Sequence, residues 1–535
     1  MYIPLEPYGK VEKIRLVIFK DFESIVINNI ELNSGWPFQF NIFRFLLGFS
    51  ILFISLYLLF HEFKYTDEGI SKAKRIFVMG GTAIVTIGIV LSIQHIVPVA
   101  QSPSKEYNEL VEAILNGRVY VEESNDTVLN GMINPYDSNL REKEGAEFYW
   151  DTAYYENRYY VYFGVVPALL IYLPYRIMTG HGINTLSVHY ILDVLLILAG
   201  FFLVNEMRKK YCEKLSLIMQ VLFSITFSVS VGTILIIKRA AIYYIAIAAG
   251  LILVLFGLGL WMNTIAKGRV KLVNGILESL CMALSVGCRP QFAVASFLGI
   301  FIFKDLIRTD IGKIKYLVAF IVPYIPVAAG LMWYNQVRFG SFFDFGANYN
   351  LTSHDMVHSG IHLAKIPTGL FYYLLNLPSF LPEFPYLRVM GVDCDYPGEI
   401  ITEGQIGGVL FLIPLTCLCF LDLTGRIGRD GLRICCYICA FVVAITDTLM
   451  AGILTRYQMD FRLYLLFPAI YIAMEMINKM REEKHRKTGR FLVLLCLATL
   501  LMSVLTLLAQ YEFPDWKHIN GNPVFYCRLQ SLLGN

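Results

Sequence analysis

The chain has 535 residues, of which 56% are hydrophobic and only 16% charged, against about 25% charged in an ordinary soluble domain. Apolar runs recur from residue 43 to residue 509, so a row of water-soluble domains is excluded in favour of a chain that uses the bilayer as its solvent. A formal net charge of +3 leaves no electrostatic case for a nucleic-acid partner.

Taken in chain order, residues 1–42 carry β-branched runs at 15–19 and 24–32 that read as short strands. They lack the charged, apolar and small-residue order of a cleavable signal peptide, so the first membrane helix is expected to serve as its own insertion signal. Runs approaching the ~20 residues needed to cross a membrane lie at 43–61, 76–97, 187–206, 214–237, 241–262, 316–334, 406–421, 432–454, 459–478 and 490–509. Two shorter runs, 272–287 and 291–304, flank Gly287-Cys288-Arg289-Pro290 and read as short helices meeting at one membrane face. The sum is about twelve spans.

Lys and Arg gather around 64–75, 208–214, 267–271, 304–315, 426–433 and 479–490, which marks those loops as internal. The opposite face then receives the long segments 98–186 and 335–405 and both termini. An outer amino terminus with no helix before it is unusual and suggests a fragment or a late-start form of a longer protein; an inner terminus would mean that the first span is misassigned. The assignment requires that 161–178 lie along the membrane: Pro167, Pro174, three tyrosines and Arg176 suit an interfacial helix, and 366–378 reads the same way. The expected fold is therefore an all-α polytopic membrane protein with about twelve transmembrane helices. Two large outer loops carry interfacial helices, and a short β-like segment precedes the first span. Its parts are an outer segment 1–42, a membrane domain 43–509 and an outer tail 510–535.

Most of the 11 cysteines sit inside apolar runs, where a free thiol packs as a small hydrophobe. Cys435, Cys436 and Cys439 lack a second ligand pair or a His at zinc spacing. Cys394 and Cys527 fall in outer segments.

The first outer segment carries the candidate chemistry. Asp151 follows Trp150 among Tyr149, Tyr154, Tyr155, Tyr159 and Tyr160; a carboxylate partly desolvated by aromatics suits a general base toward an acceptor hydroxyl, and an aromatic belt at headgroup level is the plain alternative. Glu106, near the outer end of the second span, and Asp137, in the turn-forming string Asn134-Pro135-Tyr136-Asp137, are the other candidate catalytic carboxylates. Tyr159 and Tyr160 are candidates for stacking on a sugar, or for packing. On the same face Lys238, Arg239, Arg289, Arg338 and Arg456 stand at span ends. Arginine's planar fork suits phosphate, while snorkelling to lipid headgroups is the competing use. Asp193 and Asp447 lie inside apolar runs and are functional candidates by position. Asp460 and Arg462 are expected to pair with Arg456 or with each other.

At these residues the chain resembles the GT-C type membrane glycosyltransferases, the group that includes protein O-mannosyltransferases, aminoarabinose transferases and galacturonosyltransferase-like proteins. The resemblance covers roughly 76–480. It rests on WDTAYYENRYYVYFGVVPALLIYLP leading into an interfacial helix, the GCRP step, MWYNQVRFGSFFDFG before a second outer loop, and TRYQMDFRLYLLFPA entering a span. It implies transfer of a sugar from a polyprenyl-phosphate donor to a glycan, lipid or protein acceptor on the outer face, with membrane lipid as the other partner and no nucleic acid. Family members often place an acidic pair after the helix that precedes the first outer loop. The matching place here is Lys105-Glu106, with one acid, and the family's second carboxylate corresponds to Asp151 or Glu156. The first outer loop has no Asp-X-Asp string, whereas Asp393-Cys394-Asp395 in the second has that form, so a divalent cation is a possible cofactor with no ligand set assigned.

The absence of a Walker loop or a dinucleotide fingerprint agrees with a donor that is not a nucleotide. A transporter or flippase, for which inverted repeats and midplane charges would speak, a polysaccharide polymerase or ligase with a diphosphate-linked donor, and a non-catalytic scaffold are the competing readings. The positive-inside pattern suits a bacterial plasma membrane.

Overall fold

The computed structural model describes residues 42–60, 65–66, 69–96, 105–238, 241–266, 272–304, 318–382, 386–393, 400–423, 430–479 and 482–509. The strand-like runs expected before residue 42, Arg239, Cys394, Asp395, Cys527 and the tail beyond 509 lie outside these. The main helices are α1 (Ile42–Phe60), α2 (Lys72–Ile96), α3 (Glu106–Leu115), α4 (Val165–Thr179), α5 (Thr185–Tyr211), α6 (Leu217–Lys238), α7 (Ile242–Ala266), α8 (Leu272–Val286), α9 (Pro290–Ile302), α10 (Val318–Phe339), α11 (Gly431–Met450), α12 (Gln458–Lys479) and α13 (Glu482–Leu508).

Seven helices among the described residues, α2, α5, α6, α7, α10, α11 and the apolar part of α13, are long and apolar enough to cross a membrane. This is a multi-pass membrane protein. α7 is apolar on every side and buried, as a central helix must be; it packs most extensively on α5 and α8, with α11 against α12 and α2 on the outside of α5. α12 is almost wholly buried although it carries Asp460, Arg462 and Glu475. The run 406–421 is not one helix. Val409–Leu412 stops at Ile413, Pro414 opens a 3-10 turn to Cys417, and Leu418–Leu423 resumes, because proline has no N–H for the preceding turn.

α4 forms where an interfacial helix is expected. It is about 22 Å long, too short for a ~30 Å hydrocarbon core, and a π-helical turn at Ala168–Tyr172 interrupts it. Ile366–Leu370 continues in the same manner through a π turn at Phe371–Leu375.

The outer segments are not all helical. β1 (Glu122–Glu123), β2 (Ala153–Tyr155) and β3 (Arg158–Tyr160) form an antiparallel sheet in the order β1-β3-β2. The β2–β3 hairpin turns on Glu156 and Asn157, both at positive φ, the two-residue turn that matches strand twist. Tyr154 faces Tyr159 and Ala153 faces Tyr160 across it. The second outer segment continues this sheet. Ala153 bridges Asn350, Leu351 N–H donates to Thr152 O at 2.9 Å and Asp151 N–H donates to Leu351 O at 3.0 Å. Asn134 donates to Asp355 at 2.7 Å and Ser138 to Ser353 O at 3.0 Å. The two outer segments thus form one body over the helix ends.

Candidate functional site

Between that body and the ends of α7, α9, α11 and α12 lies a cavity of about 730 Å³, within the usual size of small-molecule sites. The first outer segment reaches it through Tyr162, Phe163 and Gly164. Gly164 must be glycine: a Cβ there would sit 2.2 Å from the carbonyl oxygens of Gly287 and Cys288. Its absence lets Val166 N–H donate to Gly287 O at 3.1 Å, which seats the entry to α4 on the step before Arg289.

Arg289 and Arg456 both line the cavity. Their guanidinium carbons lie 4.5 Å and 5.2 Å from the centre of the Tyr457 ring, so they are less than about 10 Å apart and share one aromatic face system. Arg456 also covers Tyr243 at 4.4 Å. Each cation has a carboxylate. Arg289 pairs with Asp460 at 3.3 Å, and Arg456 with Glu403. Asp460 therefore pairs with Arg289, not with the partners expected from its sequence neighbourhood; Arg462 instead donates to Gln458 at 2.6 Å and to Ser230 O. Asp447, 1% exposed, accepts from Gln291 at 3.0 Å, and Gln291 lines the cavity. Asp193 is buried on α5.

Asp151 stands one residue behind the wall. Its φ of +60° is unusual for a residue with a side chain, and its N–H is held by Leu351 O. The turn aims the carboxylate at Tyr162, whose hydroxyl donates to Asp151 Oδ1 at 2.6 Å. Burial, and then the Asp151 charge, push the Tyr162 phenol well above its ordinary range. Glu106 opens α3, and the next residue, Tyr107, donates to Gly164 O at 3.2 Å. Glu106 Oε2 is buried with no hydrogen-bond partner among the described residues. Burial raises the Glu106 carboxyl most; its own backbone N–H opposes this, and the Glu109 and Asp151 charges add to the rise.

The other sequence candidates have structural partners. Asp137 caps the helix Ser138–Glu144, accepting from Asn139 N–H at 2.9 Å and Leu140 N–H at 3.2 Å. Lys238 donates to Thr506 O at 2.9 Å and Ala509 O at 2.6 Å, closing the end of α13. Arg338, 5% exposed, donates to Val161 O at 3.0 Å and Asn335 Oδ1 at 2.9 Å and stacks on Tyr334; it fixes the chain one residue before Tyr162. Tyr159 packs against Tyr149 and Tyr154, and Tyr160 against Phe339. Among the described residues no group of three or more His, Cys, Asp or Glu side chains could hold a metal ion. The structure adds Tyr162, Tyr243, Gln291 and Tyr457 to the cavity wall, and Glu403 as the partner of Arg456. Asp344 also lines the cavity, its Oδ1 held by Gly346 N–H at 2.8 Å.

No protein-family model and no curated protein sequence matches the chain. Among solved structures it is similar to the Archaeoglobus fulgidus oligosaccharyltransferase in the apo form, with a TM-score of 0.46 and 12% identity over 87% of this chain and 60% of that one. It is also similar to the archaeal oligosaccharyltransferase AglB from Archaeoglobus fulgidus in complex with an inhibitory peptide and a dolichol-phosphate, with a TM-score of 0.40 and 13% identity over 86% of this chain and 60% of that one. The chain spans 60% of the length of each.

Proposed function

We propose that the protein is a GT-C glycosyltransferase that moves a sugar from a polyprenyl-phosphate carrier to an acceptor hydroxyl on the outer face of a bacterial plasma membrane. The observation that carries this reading is the composition of one cavity wall. Two arginines on a tyrosine platform stand in the same cavity as a tyrosine hydrogen-bonded to a buried aspartate. A scaffold gives no reason for these groups to converge.

In this reading the donor phosphate sits at Arg289 and Arg456, where planar donors meet its oxygens, and the isoprenoid tail leaves between the helices. The acceptor heteroatom attacks the anomeric carbon. Its proton passes to the Tyr162 oxygen as the Tyr162 proton passes to Asp151, the bond from the anomeric carbon to the phosphate oxygen breaks, and the carrier leaves as a phosphomonoester whose added negative charge the arginines receive.

The test is sugar transfer by purified protein from a panel of radiolabelled polyprenyl-phosphate monosaccharides, with Asp151→Asn and Glu106→Gln beside the wild type. Wild-type release of free carrier phosphate, lost in a folded Asp151→Asn protein, supports the reading. A wild type that neither consumes nor binds any donor of the panel refutes it for those donors.

A further inference from the structure

Glu403, near the end of the second outer segment, pairs with Arg456, which lines the cavity, from 53 residues away in sequence. A short strap holds it. Thr402 bridges Ile453 in parallel, Glu403 N–H donates to Ile453 O at 3.0 Å and Ile453 N–H to Ile401 O at 2.8 Å. Thr455 Oγ1 donates to Gly404 O at 2.7 Å, and Gln405 Nε2 closes on Glu403 O at 3.0 Å and Ile453 O at 3.2 Å. Met390 and Gln405 exchange two more backbone bonds at 2.8 and 2.7 Å. The strap needs Gly452, at φ +100°, where a Cβ would meet Ile401 O at 2.2 Å. Both partners of the Arg456–Glu403 pair are mostly buried, with 13% and 11% of their side chains exposed. The backbone of Glu403 is therefore fixed, and Arg456 Nη1 is committed to it. Arg456 keeps Nε buried without a hydrogen-bond partner among the described residues, and its guanidinium plane lies on Tyr243 and Tyr457.

We infer that Glu403 is a positioning residue that occupies, on Arg456, the place of a substrate anion, so that the donor phosphate binds by exchange with this carboxylate and the product phosphate is expelled by it. The inference rests on the proposed polyprenyl-phosphate reading and deepens it. A fully open guanidinium would hold the phosphomonoester dianion left after transfer more tightly than the monoanionic phosphodiester that entered, and turnover would stall on product. A fixed carboxylate on the same guanidinium sets a competitor of constant strength against both. It lowers ground-state affinity and favours release of the more highly charged product, because the repulsion between Glu403 and the phosphate grows with the phosphate's charge.

The test uses full-length protein in nanodiscs, with binding of free polyprenyl phosphate and steady-state transfer measured for wild type, Glu403→Gln, Glu403→Asp and Arg456→Gln. Glu403→Gln should bind polyprenyl phosphate about tenfold tighter, the order of one charge-assisted hydrogen bond no longer exchanged. It should also lower the donor KM and kcat together, with stronger product inhibition. Glu403→Asp, which keeps the charge, should stay near wild type, and Arg456→Gln should bind weakly. A carboxylate that merely supports the strap predicts the reverse, a raised KM and weaker binding in Glu403→Gln, and that result overturns the inference while wild-type binding leaves the function standing. If Glu403→Gln does not fold, wild-type-like product inhibition in Glu403→Ala overturns it as well. Wild type that binds no polyprenyl phosphate removes both the function and this inference.

Discussion

Tyr162→Phe is the sharpest perturbation of the candidate site, because it deletes one oxygen and leaves the ring that lines the cavity. That oxygen donates to Asp151 at 2.6 Å, and Asp151 is 7% exposed, so the carboxylate loses a charge-assisted hydrogen bond in a poorly hydrated place. Such bonds are worth about 1.5–3 kcal/mol, which sets the expected loss of stability. The loss of activity should be larger. A positioned base contributes roughly 10²–10⁴-fold, and without the phenol the acceptor proton has no route through the wall to Asp151. The expected result is a kcat at least 100-fold lower with the donor KM changed less than about threefold, since neither arginine is touched. Asp151→Asn should cost a similar factor, and the double variant should cost little more than either alone, because the two groups act as one unit. The assay is transfer of radiolabelled sugar under donor saturation, with thermal unfolding followed in parallel. A Tyr162→Phe protein that keeps kcat within a few-fold, or whose loss multiplies with that of Asp151→Asn, would sink the relay.

Four further outcomes are expected. The raised Glu106 carboxyl means the folded state holds its proton to higher pH than the unfolded chain does, so its contribution to stability is present at low pH and is lost as pH rises above the ordinary 4.5; Glu106→Gln should match wild type near pH 4 and melt higher at pH 7.5, and a lower melting point at pH 7.5 contradicts this. Arg456→Lys keeps the charge but loses the fork and the stacking on Tyr243 and Tyr457, so donor KM should rise roughly tenfold or more; an unchanged KM places the phosphate elsewhere. Gly164→Ala pushes a methyl group against backbone oxygens at 2.2 Å, and size-exclusion chromatography should show aggregated protein, whereas a monodisperse and active variant refutes the fit. Asp137→Ala removes an N-cap and should cost about 1 kcal/mol in unfolding experiments with transfer rates unchanged; a large loss of kcat restores Asp137 as a catalytic candidate.

Hydropathy and the placement of Lys and Arg make the long helices readable from sequence, since crossing a membrane imposes length and composition together. The shortness of α4 is readable for a related reason: prolines, tyrosines and an arginine in a short apolar run fit poorly in hydrocarbon. The outer sheet is hidden in plain composition. In Tyr154-Tyr155-Glu156-Asn157-Arg158-Tyr159-Tyr160 the turn signal is present, but tyrosine serves a headgroup belt as readily as a strand, and only the pairing with Asn350 decides. Arg289 and Arg456 are visible as lone charges beside apolar runs. Tyr162 is not, being one of 33 tyrosines with no spacing that ties it to Asp151. Glu403 is invisible for the same reason: its partner lies 53 residues away, in a loop with no periodicity to read.

The joint between the two outer segments also has a consequence in time. Asp151 is held by Leu351, and Ala153 by Asn350, so the carboxylate cannot take its left-handed turn until the ribosome has made some 200 further residues, about 10–40 s of synthesis. During that interval the first of these segments waits with its sheet edge open, while the helices from α5 to α10 are made one after another. Contacts this distant in sequence form slowly. The candidate site is thus a late product of biogenesis, and substitutions at 349–352 should reduce the yield of folded protein more than they alter the rate constants of the molecules that succeed.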